Sequence, residues 1–202
     1  MTERMFAATQ FQPKEFVFNS ENKVEAERIV AKYPIGRQAS ALLPLLDLAQ
    51  RQHGGWLPKA VIRYVAGLLD VPEIRAFEVA SFYTMFNLSP RGKFLVQLCR
   101  TTPCWLRGSD ELQGVCARHL GIKVGETTSD GVFTLVEVEC LGACVNAPMI
   151  QINDDYYEDL DPERMVELLD SLKAGVPVSI GSQNPHRSFS EPAAGLTTLT
   201  GS

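Results

Sequence analysis

The sequence has little of what would commit it to a specialised class. No apolar run approaches the ~18 residues that a membrane span needs; the longest, residues 41–49, is broken by Pro44 and Asp47. Direct membrane insertion is therefore not expected. Basic residues are not in excess, with 19 Lys and Arg against 24 Asp and Glu, a net charge of -5 and no dense Lys/Arg cluster. That balance gives no electrostatic attraction to nucleic acid or to an anionic lipid surface, so neither is an expected partner. Residues 1–16 lack both the basic start and apolar run of a secretory signal and the Arg/Ser-rich bias of a transit peptide. The chain is expected to stay where it is made, in a reducing compartment where structural disulfides are disfavoured.

Nucleotide and hydrolytic motifs are missing as well. There is no G-x-G-x-x-G or Walker sequence, hence no expected pocket for a dinucleotide or a nucleoside triphosphate. No Ser/His/Asp or Cys/His grouping supports nucleophilic catalysis. The three histidines, His53, His119 and His186, are scattered and read as surface residues rather than ligands. What remains is an ordinary globular composition, 45% hydrophobic and 21% charged over 202 residues, enough for one good core or two small ones.

The first half has helical periodicity. Ala26, Ile29, Val30 and Tyr33 form one stripe behind a cap at Ser20; Ala41, Leu42, Leu45, Leu46 and Ala49 form another, in which Pro44 must lie in the first turn or kink the helix. Pro58 and Pro72 are each expected at the first position of a further helix. About four helices result, closed by the turn Ser89-Pro90-Arg91-Gly92. The aromatic run Phe82-Tyr83-Thr84-Met85-Phe86 is expected to be buried between the two halves of the chain rather than to form a partner surface.

After that turn the period changes to two. Phe94, Val96 and Leu98 lie on a strand that delivers Cys99 at its end, and a second strand over 132–139 delivers Cys140. Between them a helix over 110–120, capped by Ser109, carries Leu112, Val115, Cys116 and Leu120 inward. A hairpin turned by Asn153, Asp154 and Asp155 follows, then a helix opened by Asp161-Pro162 and stopped by Gly175. Residues 176–202, rich in Ser, Pro, Gly and Thr, have little to bury and are expected to be mobile unless a partner holds them.

Four of the five cysteines form two tight pairs, Cys99/Cys104 and Cys140/Cys144, spaced C-x4-C and C-x3-C with 35 residues between them. Strands joined by a crossover helix are usually parallel, and ligands collect outside their C-terminal ends. Both pairs begin there. Four thiolates without a nearby histidine suit either a 2Fe-2S cluster or a structural zinc. The spacing is not the C-x-x-C of thioredoxin redox chemistry. Cys116 falls on an apolar helix stripe and reads as core. Arg100 and Arg107 flank the first pair and are expected to offer counter-charge, while backbone N–H groups of Leu141-Gly142-Ala143 can donate to sulfur.

The residues Phe82-Tyr83-Thr84-Met85-Phe86, Pro90 and Gly92, the Cys99/Cys104 pair, and Cys140-Leu141-Gly142-Ala143-Cys144 followed by Asn146-Ala147-Pro148 resemble the E subunits of NADH-quinone oxidoreductase, respiratory complex I. The likeness runs from about residue 17 to the tail. It implies a mixed α+β / α/β chain: an N-terminal helical bundle (17–90), a thioredoxin-like 2Fe-2S ferredoxin domain (91–175) and a flexible tail (176–202). It further implies one 2Fe-2S cluster, with Cys99 and Cys104 on one iron and Cys140 and Cys144 on the other, and a proline at 148 of the kind that is commonly cis. The resemblance also implies that FMN and NADH are bound by a partner F subunit and not by this chain, with other peripheral-arm subunits alongside. The place it implies is the cytoplasmic side of a bacterial inner membrane, held there through the complex. The chain would serve NADH:quinone oxidoreduction without a complete active site of its own. Similar subunits of NAD-linked hydrogenases and formate dehydrogenases, or a zinc-stabilised adaptor, are the alternatives.

Overall fold

In the computed structural model, which describes residues 5–190, four α-helices follow one another in the first half: α1 (Ser20–Val30), α2 (Leu42–Gln52), α3 (Lys59–Leu68) and α4 (Glu73–Phe82). Asn19, not Ser20, caps α1: its side chain accepts the Asn22 N–H at 2.7 Å, so Ser20 becomes the first helical residue. Pro44 is the third residue of α2, where its missing N–H has no intrahelical acceptor to lose. Pro58 and Pro72 stand one place earlier than the sequence predicts. Each has the extended backbone of an N-cap residue and precedes the first helical turn. Leu45, Leu46, Ala49, Val61, Ile62, Val65 and Phe86 form the centre of this unit's core.

The aromatic run departs from expectation. Only Phe86 is buried, while Phe82, Tyr83 and Met85 are exposed, Phe82 by 76%. The helix stops at Phe82 because Tyr83 turns extended, which breaks the spacing that would have kept the rings on one stripe. Buried Gln50 then holds the loop, donating from Nε2 to the Met85 carbonyl at 3.1 Å and accepting the Asn87 N–H at 2.7 Å. His53 is not a plain surface residue either. It lies half-buried at the end of α2 with its ring against Trp56 and Phe16, and burial lowers its pKa.

A second compact unit begins at Gly92 and has its own core. Its first strands, β1 (Phe94–Cys99) and β2 (Phe133–Val138), pair in parallel from Phe94↔Phe133 to Cys99↔Val138. The crossover between them carries α5 (Thr102–Leu106) and α6 (Ser109–Leu120). Gly92 precedes β1 where the backbones nearly touch: a Cβ there would lie 2.7 Å from the Phe133 carbonyl carbon. The hairpin β3 (Ile150–Ile152) and β4 (Asp155–Glu158) adds two antiparallel strands on the other side of β1. Then come α7 (Pro162–Ala174) and β5 (Gly181–Ser182), giving the mixed order β2-β1-β3-β4-β5. Asp161 caps α7 by accepting the Arg164 N–H at 2.8 Å. Cys116 is fully buried on α6 with Leu112, as its apolar stripe predicts.

Among the described α-helices and strands, α5 and β5 have no counterpart in those expected from the sequence. The second falls within the segment from 176 onward that the sequence reads as mobile unless held. Residues 181–182 pair in parallel with β4, and those that follow make side-chain and backbone hydrogen bonds as far as Ser190. Residues 191–202 of that expected tail lie outside the described residues. No described helix is long and apolar enough to cross a membrane.

Candidate metal centre

Cys99 is the last residue of β1, and Cys140 follows two residues after the end of β2. Parallel pairing of these strands places both cysteines at the same, C-terminal end of the sheet. The chain after Cys99 turns at once into α5, whose third residue is Cys104; the chain after Cys140 turns through Gly142 into a 3-10 turn, Cys144–Asn146. Gly142 has φ +86, a conformation that disfavours any residue with a Cβ, and this bend points its N–H at the Cys140 sulfur, 3.4 Å away.

The four thiols are mutual neighbours. Cys140 and Cys144 sulfurs lie 3.6 Å apart, and the Cys99 thiol is within hydrogen-bonding reach of both Cys104 and Cys140. Their environments differ. Cys99 and Cys104 are buried, packed with Ala143, Ala147 and Met149, whereas Cys140 and Cys144 are exposed. Burial pushes the Cys104 thiol up to about 12, partly countered by a hydrogen bond from the Met149 backbone, with the Cys99 thiol adding to the rise. Cys140 moves the other way, lowered first by the Gly142 N–H and then by the Thr101 hydroxyl and Cys144. Cys144 is raised, chiefly by its hydrogen bond with Cys140.

Residues not singled out from the sequence complete the surroundings. The Thr101 hydroxyl lies 3.6 Å from the Cys99 sulfur, inside the C-x4-C loop where its position could have marked it. Tyr156 on β4 donates to the Leu141 carbonyl at 2.7 Å and steadies the second loop; nothing in its alternating strand distinguishes it. Ala147-Pro148 is a cis peptide, leading into the Met149 that contacts Cys104.

Arg100 does not stand free beside the first pair. It is held by the Asp110 carboxylate and by Glu137 at 2.9 Å, and Trp105 Nε1 also donates to Asp110 at 3.0 Å. Two carboxylates against one guanidinium leave this cluster net negative, so the counter-charge expected from Arg100 is neutralised locally.

The donor set tests what group could sit here. Four thiols meet with no histidine among them, and N–H and O–H groups lie against two of the sulfurs, a donor set that suits a two-iron core. The residues present fit a 2Fe-2S group.

The sequence profile of the thioredoxin-like 2Fe-2S ferredoxins matches residues 26–173. The chain belongs to this family. Family membership implies a 2Fe-2S cluster. The E subunit of NADH-quinone oxidoreductase from Rickettsia bellii is 60% identical over 158 residues, covering 78% of this chain and 95% of that protein. The mitochondrial NADH dehydrogenase (ubiquinone) flavoprotein 2 of Dictyostelium discoideum is 56% identical over 184 residues, 91% of this chain and 74% of that protein. Among solved structures, the NAD+-reducing NiFe-hydrogenase in its air-oxidised state superposes with a TM-score of 0.57 at 22% identity. That match covers 65% of this chain and 23% of the hydrogenase chain, and it is a likeness of fold.

Proposed function

We propose that this chain is the electron-transfer subunit of an NADH-quinone oxidoreductase, with Cys99, Cys104, Cys140 and Cys144 as the ligands of one 2Fe-2S cluster. The observation that carries this reading is the meeting of the two cysteine pairs at one end of the parallel β1–β2 strands, in a ferredoxin-family chain 60% identical to such subunits. When bound, the cluster supplies one-electron chemistry at low potential.

The residues of the chain then have separate tasks. Cys99 and Cys104 would anchor the group on its buried side, and Cys104, whose proton burial favours, would give up that proton to serve as a ligand. Cys140 and Cys144 would hold it at the solvent-exposed side. The Gly142 N–H and the Thr101 hydroxyl donate to sulfur, which eases the accumulation of negative charge. Hydride chemistry belongs to a partner F subunit that binds NADH and FMN, and single electrons pass between that flavin and this centre. The assembly lies at the cytoplasmic side of the inner membrane, with this chain peripheral to the bilayer.

Anaerobically purified protein tests the proposal. A red-brown chain with about two irons and two acid-labile sulfides is expected; a colourless chain with zinc would overturn it. Cys144→Ala loses the cluster, whereas Cys116→Ala keeps it in full and costs about 1 kcal/mol of packing. Iron loss from the Cys116 variant would refute the ligand assignment. Co-purification with an NADH-oxidising, quinone-reducing flavoprotein identifies the assembly.

A further inference from the structure

Glu158, the last residue of β4, is completely buried. A carboxylate tolerates that only when its oxygens are hydrogen-bonded. One donor is Asn146 Nδ2, 2.7 Å from Oε2; the others are the Ser190 N–H, 3.0 Å from Oε2, and the Ser190 hydroxyl on Oε1. Asn146 closes the turn that begins with Cys144, and Ser190 belongs to the segment after α7. Glu158 therefore joins a proposed ligand turn to a stretch of chain more than forty residues away in sequence.

The rest of that segment grips the same turn. Arg187 donates to the Val145 carbonyl at 2.7 Å while pairing with Asp159 at 2.9 Å. The Ser188 carbonyl accepts a second hydrogen from Asn146 Nδ2 at 2.7 Å. Ser182 Oγ donates to Asp159 at 2.6 Å, and the Phe189 ring lies so close over Gly181 that a Cβ there would come within 2.8 Å of it. From the opposite side, the Asp159 N–H holds the Asn146 carbonyl at 2.8 Å.

We propose that residues 182–190 are a strap that fixes the position of Cys144, and that Glu158 and Ser190 are positioning residues acting on it through Asn146. The proposal rests on the reading that Cys144 is a cluster ligand. No strap residue touches a sulfur; the strap acts by denying the Cys144–Asn146 turn the freedom to swing outward. An exposed ligand on an unrestrained turn exchanges with solvent, and its sulfur takes up a wider range of angles at the metal. Outer-shell partners of this kind are worth roughly tenfold or more in metal retention.

The test uses the full-length, cluster-loaded chain as wild type, Ser190→Ala, Ser190→Thr and Glu158→Gln. Iron and acid-labile sulfide are measured first. Wild-type protein without them overturns the cluster reading and the strap with it. With the wild type loaded, Ser190→Ala and Glu158→Gln are expected to release iron to an added chelator roughly tenfold faster. Their EPR g-values in the reduced state should also shift. Ser190→Thr, which keeps both donors, restores the wild-type rate and spectrum. Unchanged release and spectrum in Ser190→Ala, or a Ser190→Thr variant as impaired as Ser190→Ala, overturns the strap while leaving the cluster reading intact. Should Glu158→Gln fail to fold, the Ser190 pair decides by the same criteria.

Discussion

Cys104 and Cys116 are both buried thiols that desolvation raises to about 12, yet only Cys104 has other sulfurs beside it. Burial alone therefore does not separate a ligand from a core residue; the company does. His53 is a half-buried titratable group, and its consequence is pH dependence. Burial lowers its pKa, so below the ordinary imidazole value near ~6.5 the unfolded chain takes up a proton that the folded chain resists. Stability is expected to be full above that value and to decline as pH falls toward the lowered folded pKa. Urea unfolding read by the fluorescence of the adjoining Trp56, in a Trp105→Phe background, should show this decline, and His53→Phe should flatten it. An equal pH slope in both proteins would remove His53 as the cause.

At the scale of elements, the strand pair and its crossover helix are legible because their periods are long enough to count. β1 and β2 have six residues each and α6 twelve, all rich in apolar side chains. α5 has five residues and β5 two, too few for any period, and β5 exists only because β4 offers it an edge. The cysteine spacing announces the site, but Tyr156, Asn146 and Glu158 act on it through the fold, and no local pattern marks them. The exposed Phe82 and Tyr83 depart from expectation for a related reason: helical spacing does not continue past the residue where the helix ends. The close approach at Gly92 gives a test of the strand pair. The atoms nearest to a Cβ there are backbone of Val132 and Phe133, which cannot rotate away. Gly92→Ala is expected to cost about 1–3 kcal/mol in denaturant unfolding; a neutral effect would mean that β1 and β2 part easily.

For the whole molecule, the division near Arg91 matters more than the net charge. The hydrophobic cluster of the first unit and those of the second share no residue. Calorimetry should resolve two transitions. Removing iron with a chelator is expected to lower only that of the unit from Gly92 onward, because metal binding stabilises the fold that binds it. Leu45→Ala, at a fully buried position of α2, should weaken only the other, by about 2–5 kcal/mol. One transition shifted by both treatments would show a single cooperative unit. The unequal burial of the two sulfur pairs also governs how the empty protein ages. Cys140 and Cys144 are open to solvent with their sulfurs 3.6 Å apart, and Cys140 ionises more readily than an ordinary thiol. In air this pair is expected to close first into a disulfide, two electrons and two protons passing to oxygen, while Cys99 and Cys104 stay sheltered. Metal-free protein kept in air is expected to lose its capacity to take up the cluster, and a mild reductant before reloading to restore it.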